Sequence, residues 1–391
     1  MKTLIGIAVE YGIRLTDRDM VTSPDWDKVL SLSENFRILE TKATTSRWHQ
    51  EKNMLEHTKM VCDIVQVFAN SDSLLSGRDR LVLMLAAMFH DIGKCKCENS
   101  EDGRLLSNGH PLISERICRQ ELWGLNVLDR ERICELVRWH DLYCLSDISD
   151  RKLLMKLGKL SMWLFIHIDL LFKLWMADDL GAIKDKDLEG SAKRMVDRIE
   201  GMNLGNIHRI PNSKTVGVEK EFTVYVMCGL PGSGKTTWCN DNLSELPMVS
   251  RDTIREELGM TEKGVKFMGT PEQEDLVSKI SDERVLELCK DRQSFVYDNM
   301  NSREKYRRSF YDKIRKYKPL VRYIYLEVND LSVLEARRPE IACKGDNVFS
   351  DMVYKMEFPR PDEYDTLEIQ QNLSNPSDGE FDYTIIGTLH I

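Results

Sequence analysis

The sequence lacks a long uncharged hydrophobic run. Its most apolar stretch, 157–177, is interrupted by Lys159, Asp169 and Lys173. A membrane span needs about 18 or more nearly uncharged residues, so we predict a buried helix here and no membrane partner. The apolar run at 4–9 is shorter than the hydrophobic region of a secretory signal and is not followed by a cleavage site.

The cysteines do not have the spacing of a structural zinc site. The ten cysteines have scattered spacings, and Cys95 and Cys97 form the one close pair. A structural zinc site of the paired type needs a second such pair. Free thiols are typical of a reducing compartment, so we expect a cytoplasmic protein.

The chain also has no excess of basic residues. Lys and Arg number 55 against 64 Asp and Glu, which gives a net charge of −9. Proteins that coat duplex DNA without sequence preference need a broad basic face, so this class is disfavoured, although a local basic groove stays compatible. The 42% apolar and 30% charged residues are ordinary for a globular protein and argue against long disorder.

The chain contains two regions of different texture. Apolar residues recur at helical spacing from residue 26 to about residue 200. Three short β-rich runs follow, at 222–228, 295–297 and 323–328, and helical stretches separate them. Strands that alternate with helices favour a parallel α/β sheet.

A length of 391 residues predicts two or three domains. The segment between the two regions is rich in Gly, Asn, Pro and Ser, which is typical of a linker. We predict an all-α domain over 1–205, a linker over 206–218 and an α/β domain with a parallel sheet over 219–391.

A glycine-rich motif directly follows the first β-rich run. Residues 229–236 read GLPGSGKT and fit the P-loop pattern G-x-x-x-x-G-K-[ST]. Backbone N–H groups of such a loop, together with the following helix N terminus, bind phosphate oxygens. We expect the Lys to contact the β and γ phosphates of ATP and the Thr hydroxyl to ligate Mg²⁺. The expected nucleotide-binding residues are Gly229, Pro231, Gly232, Ser233, Gly234, Lys235, Thr236 and Thr237.

A second motif, Ser-Arg-Asp-Thr-Ile-Arg, occupies 250–255. Asp252 and Arg255 are three residues apart and therefore share one face of a helix. A carboxylate near a P-loop can accept the proton of a substrate hydroxyl, and an arginine beside it can hold a substrate phosphate. The alternative is that Asp252 is a plain helix N-cap.

Three further residues complete this candidate site. Asp298 ends a β-rich run, where a carboxylate can hold Mg²⁺ through water. Arg337 and Arg338 follow the run at 323–328 by about nine residues, where arginines of a lid can stabilise charge on transferring phosphates. A solvated helix face is the alternative for the two arginines.

The segment 302–322 carries nine basic and two acidic residues. Its basic face could follow a nucleic-acid backbone, and a solvated helix surface is the alternative. Tyr306, Phe310, Ile314 and Tyr317 run down one helical face, and we predict that they are core residues.

The helical region carries an ordered series of histidines and acidic residues. A lone histidine is more often a core residue than a ligand, but adjacent His and Asp ligands, as at 90–91, can share one metal or bridge two. The series consists of His57, His90, Asp91, His110, His140 and Asp178. Asp179 is an alternative to Asp178, Asp141 is interpreted as structural, and His49 is expected at the rim of the site or at the surface.

This series, with the pattern HD-x-x-K at 90–94, resembles the HD phosphohydrolase superfamily over about 48–182. The resemblance implies that His57, His90, Asp91, His110, His140 and Asp178 ligate one or two metals and that Lys94 lies near the scissile phosphate. A ligand set rich in nitrogen is expected to prefer Mn²⁺, Co²⁺, Ni²⁺ or Fe²⁺ to Mg²⁺. The chemistry then expected is attack of a metal-activated hydroxide on phosphorus.

The C-terminal motifs resemble the 5′-hydroxyl polynucleotide kinases of phage and bacterial RNA repair. The resemblance implies that Asp252 is the general base, that Arg255 contacts the acceptor's phosphate, and that Arg337 or Arg338 contacts the ATP phosphates. Lys235 would act on the transferred phosphate. The sequence departs from many relatives at Met300, which stands where they have a hydroxyl residue.

Together the two halves resemble the bifunctional HD-Pnk end-healing family. That resemblance implies ATP-dependent phosphorylation of 5′-hydroxyl ends and metal-dependent removal of a 2′,3′-cyclic phosphate, 2′-phosphate or 3′-phosphate. The expected partners are RNA or DNA ends, a nucleoside triphosphate and a separate ligase, and a homo-oligomer is left open. One alternative is an enzyme of nucleotide metabolism with a small-molecule kinase. Another is a nucleotide-sensing regulator with degenerate sites, which the full ligand set and intact P-loop disfavour.

Overall fold

The computed structural model describes residues 2–43, 47–98, 105–162, 168–202, 220–262, 265–266, 270–345, 347–372 and 383–390. The chain divides into two compact units, Met1–Pro211 and Asn212–Ile391. The predicted linker, 206–218, lies outside the described residues, so the predicted domain limits stay a prediction.

The described part of the N-terminal unit is helical, which confirms the all-α class. The apolar stretch at 157–177 is divided between two helices, and 163–167 lie outside the described residues. Among the helices that the structure describes, none has the length and apolar character needed to cross a membrane. The helices are α1 (Leu4–Glu10), α2 (Trp26–Leu32), α3 (Glu34–Thr41), α4 (Met54–Ser71), α5 (Gly77–Phe89), α6 (His110–Glu121), α7 (Val127–Arg138), α8 (Asp150–Met162), α9 (Ile168–Gly181) and α10 (Ser191–Glu200).

Helix α5 forms the centre of this unit. Its residues from Leu81 to Phe89 are all at most 1% exposed, because this part of the helix is apolar on every face. It packs against α4, α7 and α9. Side chains cap the first turns of two of these helices: Asn53 accepts the N–H of Glu56 in α4, and Ser76 accepts the N–H of Asp79 in α5.

The C-terminal unit alternates strands and helices. Its strands are β1 (Thr223–Cys228), β2 (Met248–Ser250), β3 (Thr261–Glu262), β4 (Val265–Lys266), β5 (Phe295–Asp298), β6 (Leu320–Glu327), β7 (Thr366–Asn372) and β8 (Tyr383–His390). Its helices are α11 (Lys235–Asn242), α12 (Arg251–Glu257), α13 (Pro271–Lys290), α14 (Glu304–Ile314), α15 (Leu331–Arg337), α16 (Pro339–Ala342) and α17 (Val348–Tyr354).

Six of these strands form one sheet in the order β2-β5-β1-β6-β7-β8. All neighbours are parallel except β7 and β8, so the predicted parallel sheet is confirmed and gains one antiparallel edge strand. Strand β1 lies between β5 and β6, which come later in the chain. In such sheets, ligands bind beyond the carboxyl ends of the strands where the order switches, and the P-loop follows β1 at this point.

Candidate active sites

Five helices of the N-terminal unit bring the predicted metal ligands together near their ends. All six side chains belong to residues that are at most 8% exposed. The structure places His57 in the first turn of α4, His90 and Asp91 directly after α5, His110 at the start of α6, His140 two residues after α7 and Asp178 in the last turn of α9.

One set of ligand atoms comes from His57, His90 and Asp178. The His57 Nε2 atom lies 3.2 Å from the His90 Nε2 atom and 3.0 Å from the Asp178 Oδ1 atom. The Oδ2 atom of Asp91 faces the same point, 3.5 Å from His57 Nε2 and 3.4 Å from His90 Nε2.

A second set comes from Asp91, His110 and His140. The Oδ1 atom of Asp91 lies 2.9 Å from His110 Nε2 and 3.4 Å from His140 Nε2, and the two imidazole atoms are 3.1 Å apart. The two oxygens of Asp91 therefore face different sets. Each oxygen of Asp91 is thus available as a ligand atom to one set.

Backbone carbonyls orient the four imidazoles. A ring whose Nδ1–H donates to a carbonyl presents the lone pair of Nε2. Where Nδ1–H of both facing rings donates to a carbonyl, the Nε2 atoms 3.1–3.2 Å apart share one position that a proton or a metal cation can occupy. The donor–acceptor distances are 3.3 Å from His57 to Gly181 O, 2.7 Å from His90 to Ala87 O, 2.8 Å from His110 to Ser107 O and 2.7 Å from His140 to Val137 O.

The charges of the cluster also attract a cation. Burial alone would raise the pKa of Asp91, but Lys94 and His90 hold it well below its usual range. Burial would lower the pKa of His90, yet the Asp91 and Asp178 carboxylates raise it to about 10. The two carboxylates thus attract positive charge between them, and the residues fit a divalent metal in charge and in donor type.

The glycine of the HD-x-G-K segment has a steric role. Gly93 lies in a 3₁₀ turn that packs against α6, and its N–H donates to Ser114 Oγ at 2.8 Å. A Cβ atom at Gly93 would lie 2.5 Å from both the His110 carbonyl oxygen and the Ser114 nitrogen. The small residue therefore lets the turn that carries Asp91 and Lys94 approach the helix that carries His110.

The structure distinguishes the two neighbouring aspartates on α9. Asp178 points into the cluster, where the Tyr143 hydroxyl donates to its Oδ2 atom at 3.1 Å. Asp179 instead pairs with Lys184 at 2.6 Å. Tyr143 had no signal in the sequence, since only the fold brings it beside Asp178.

Lys94 and His49 border the cluster. The ammonium of Lys94 lies 2.7 Å from Asp91 Oδ2 and 3.1 Å from His49 Nε2. His49 is therefore at the edge of this site, with its side chain 20% exposed. Buried Glu51, which sequence reasoning missed, lies 3.6 Å from His49 Nδ1 and 3.5 Å from His57 Nδ1.

The C-terminal unit builds the P-loop between β1 and α11. Gly229, Gly232 and Gly234 have φ angles of 145°, 80° and 91°, a region that disfavours other residues. A Cβ atom at Gly229 would also lie 2.3 Å from the Leu326 carbonyl oxygen on β6. The glycines therefore allow the loop to turn sharply over the ends of the strands.

The functional side chains of the P-loop point to one location. The Thr236 hydroxyl donates to Asp298 Oδ2 at 2.8 Å, so both predicted magnesium-binding groups are adjacent. Lys235 donates to the carbonyls of Gly229 and Leu230 at 3.0 and 2.9 Å. Burial lowers the pKa of Lys235, against the opposing effect of the nearby Asp298 and Asp252 carboxylates.

Asp252 and Arg255 lie on one face of α12 as predicted. The N-cap of this helix is Ser250, so the alternative of Asp252 as N-cap is wrong. Arg255 Nη1 donates to Asp252 Oδ1 at 2.7 Å. The same guanidinium contacts Glu274 on α13, a residue with no signal in the sequence.

The two predicted lid arginines lie at the end of α15, close to the P-loop. Arg337 Nη1 donates to the Gly232 carbonyl at 3.1 Å. Arg338 pairs with Glu340, and its Cγ atom would lie 3.1 Å from a Cβ atom at Gly232. Both arginines are thus brought to the phosphate-binding loop.

The basic segment 302–322 differs from the sequence prediction. Arg307 is fully buried and pairs with Glu363, while Lys313 pairs with Asp282. The prediction of a core face is right for Phe310 and Ile314 but wrong for Tyr306, which is 58% exposed. Carboxylates from other segments neutralise part of the basic face.

The segment after Asp298 supports the P-loop. Asn301 adopts a left-handed φ of 45° and donates to the Met227 carbonyl at 2.7 Å. The carbonyl of Met300 accepts the Gly229 N–H at 3.1 Å, while the Met300 side chain is 37% exposed. The backbone of Met300 makes this contact, so the contact does not require a hydroxyl side chain.

Two family models match the chain. An HD domain matches 54–157, and an AAA domain, a class of P-loop domain, matches 224–339. The chain is an HD domain joined to a P-loop kinase-like domain. The first matched range contains five of the six ligands of the histidine cluster, and the second contains the P-loop, Asp252, Glu274 and Asp298.

Part of the chain is similar to solved structures. One is a protein described as a putative kinase from Chloroflexus aurantiacus J-10-fl, which is 15% identical. The match covers 42% of this chain and 91% of that chain, with a TM-score of 0.31. No protein with a curated description matches the chain.

Proposed function

We propose that the protein heals nucleic-acid ends, with the HD domain removing terminal phosphates and the kinase domain phosphorylating 5′-hydroxyl ends. The observation that carries this proposal is the Asp252–Arg255 pair beside a P-loop, in the same chain as a complete histidine cluster. A base paired with a phosphate-binding arginine suits an acceptor that carries both a hydroxyl and a phosphodiester. RNA or DNA ends are therefore the proposed partners, with a separate ligase acting afterwards.

In the HD domain, one or two divalent metal ions would be held by the cluster of His57, His90, Asp91, His110, His140 and Asp178. A divalent metal, when bound, supplies a Lewis acid that makes water nucleophilic at neutral pH. Lys94 would place its ammonium beside the phosphate and stabilise the negative charge that develops there. The carbonyl-bound imidazoles keep the ligand atoms oriented throughout.

In the kinase domain, Asp252 would accept the proton of the attacking hydroxyl, and Arg255 would hold the adjacent phosphate. Lys235 would leave the loop carbonyls and contact the β and γ phosphates of ATP. Thr236 and Asp298 would hold Mg²⁺, which neutralises phosphate charge when bound. Arg337 or Arg338 would contact the transferring phosphate from the other side of the loop.

A second candidate function is nucleotide metabolism with a small phosphorylated acceptor. The observation that favours it is that Arg307 and Lys313 of the basic segment pair with Glu363 and Asp282, which weakens one argument for a long nucleic-acid track. Asp252 and Arg255 would serve a small acceptor equally well, because one hydroxyl and one phosphate are enough for both.

A single assay tests both candidates. A short RNA with a 5′-hydroxyl and a 2′,3′-cyclic phosphate is incubated with ATP and with Mg²⁺ or Mn²⁺, and both ends are read. Phosphorylation at the 5′ end together with loss of the cyclic phosphate supports end healing. Phosphorylation of nucleosides and sugar phosphates without either reaction on RNA would replace it with the second candidate.

A further inference from the structure

Glu274 connects two arginines of the kinase-like domain. The Oε1 atom of Glu274 accepts from Arg255 Nε at 2.9 Å, and Oε2 accepts from Arg255 Nη2 at 2.8 Å. The Oε2 atom also accepts from Arg251 Nη2 at 2.9 Å. The Glu274 and Arg255 side chains are only 16% and 13% exposed, so solvent screens the contact weakly.

The bidentate contact fixes the plane of the Arg255 guanidinium. Arginine has five N–H donors in a rigid fork. In the described part of the chain, Glu274 takes one donor on Nε and one on Nη2, and Asp252 takes one on Nη1. One donor on each terminal nitrogen remains, which is the number that a bidentate phosphate contact requires.

The contact between Glu274 and Arg255 also affects the position of Asp252. Its Oδ1 atom accepts from Arg255, while its side chain is 45% exposed at the start of α12. Without Glu274, the flexible Arg255 side chain could turn to solvent or close fully on Asp252. The carboxylate of Glu274 thus separates the two roles, because it holds the arginine from the side opposite the aspartate.

We propose that Glu274 is a positioning residue of the kinase site, which orients Arg255 for an acceptor phosphate and thereby keeps Asp252 in place for the acceptor hydroxyl. This inference rests on the proposed kinase function. It names the residue that sets the acceptor geometry, and it assigns Glu274 no contact with ATP.

The test is a double-mutant cycle on the full chain. Glu274→Gln keeps the size of the side chain and removes its charge. We expect kcat/KM for a 5′-hydroxyl oligonucleotide to fall about 10-fold or more, with the KM for ATP unchanged within about 2-fold. In the Arg255→Ala background, Glu274→Gln should add less than about 2-fold, since the two residues act as one unit.

The chain offers a matched control on the same two helices. Glu257 on α12 pairs with Arg284 on α13, with both side chains more than 40% exposed. Glu257→Gln removes an ion pair between α12 and α13 without touching Asp252, and it should leave acceptor kinetics unchanged. If Glu257→Gln loses as much activity as Glu274→Gln, helix pairing explains the loss and the proposal is overturned.

Other outcomes are equally decisive. An equal loss from Glu274→Gln in the wild-type and Arg255→Ala backgrounds would overturn the proposal, as would wild-type kinetics of Glu274→Gln. If Glu274→Gln does not fold, Glu274→Asp, which keeps the charge at shorter reach, should lower acceptor kcat/KM less than Arg255→Ala does. An equal or larger loss in Glu274→Asp would overturn the proposal.

A failure of the proposed function is detected with the wild-type protein, independently of the Glu274 variants. A panel of 5′-hydroxyl oligonucleotides, nucleoside 3′-phosphates and other phosphorylated hydroxyl compounds identifies the acceptor. If wild type phosphorylates none of the oligonucleotides, end healing fails, and the cycle is run on the acceptor that it does use. The proposal for Glu274 is then decided by the same changes in kcat/KM, measured with that acceptor.

Discussion

The two domains form their candidate sites in opposite ways. The HD cluster draws its ligands from five helices, with as many as 121 positions between partners such as His57 and Asp178. Asp91 is 1% exposed there, and backbone carbonyls orient the imidazoles. The kinase-like domain takes its phosphate-binding loop from eight consecutive residues, and its proposed base, Asp252, is 45% exposed.

The difference follows from what each site must bind. A metal is small and needs several ligand atoms preset around one point, and burial in the fold provides this. A kinase must admit its acceptor and then exclude water, and the proposed base accordingly lies near the surface. Asp252 is held by an ion pair with Arg255, which Glu274 holds in turn, whereas backbone carbonyls hold the histidines.

The largest expected effect separates the two sites completely. Asp91→Asn should lower phosphate release about 10³-fold or more, because it weakens both metal positions, and should leave 5′ phosphorylation intact. Asp252→Asn should lower phosphorylation about 10²-fold to 10⁴-fold and leave phosphate release intact. Both activities are scored on one doubly labelled RNA. If either folded variant loses both activities, the two sites are not independent.

Within the kinase-like domain, Lys235→Ala and Arg255→Ala should change different kinetic parameters. Lys235→Ala should lower transfer from ATP about 10²-fold or more with every acceptor, since it removes charge at the transferring phosphate. Arg255→Ala should mainly raise the KM of acceptors that carry a phosphate. Steady-state kinetics with a nucleoside and its 3′-phosphate check this. An equal loss with both acceptors would show that Arg255 does not contact the phosphate.

Metal dependence should differ between the domains. Metal-stripped protein should recover phosphate release with Mn²⁺, Co²⁺, Ni²⁺ or Fe²⁺, whereas Mg²⁺ alone should support mainly the kinase. His140→Ala should weaken transition-metal binding about 10-fold to 100-fold, because it removes one ligand of the set that Asp91, His110 and His140 form. Elemental analysis of the reconstituted variants measures this. Full recovery of phosphate release with Mg²⁺ alone, together with unchanged release in His140→Ala, would contradict the metal-ligand assignment.

The smallest expected effect concerns packing under the HD site. Gly93→Ala should destabilise the protein by about 1–3 kcal/mol, since its Cβ atom would meet backbone atoms at 2.5 Å. Gly124→Ala is the control, because a Cβ atom there meets nothing closer than 3.7 Å, and its effect should stay within about 1 kcal/mol. Denaturant unfolding measures both variants. Equal stability of the two variants would mean that the close approach to α6 is not required.

Local sequence was sufficient where chemistry is local. The P-loop is contiguous, so the β-rich run at 222–228 and the eight motif residues after it predicted the strand, the turn and the helix that follow one another in the fold. The alternation of β-rich runs and helical stretches predicted the parallel sheet, and helical periodicity predicted the all-α domain. The antiparallel strand β8 was not predicted, because edge strands carry a weak and partly polar pattern.

Tertiary structure decided the choices between neighbours. Asp178 and Asp179 are equivalent in sequence, but they point about 100° apart around α9, and packing directs one to the cluster and the other to Lys184. Arg307 was assigned to a basic surface, yet it is buried and forms an ion pair with Glu363 from a later segment. A side chain's charge does not reveal which distant carboxylate the fold will supply.

The sequence by itself therefore determined the two classes of domain, the phosphate-binding loop and the residues available as metal ligands. Only the tertiary structure decided that the two oxygens of Asp91 face separate ligand sets and that Glu274 holds Arg255. The physical reason is that residue type and short spacing specify chemistry and local conformation. The convergence of distant side chains depends on how helices pack, and that is a property of the whole core.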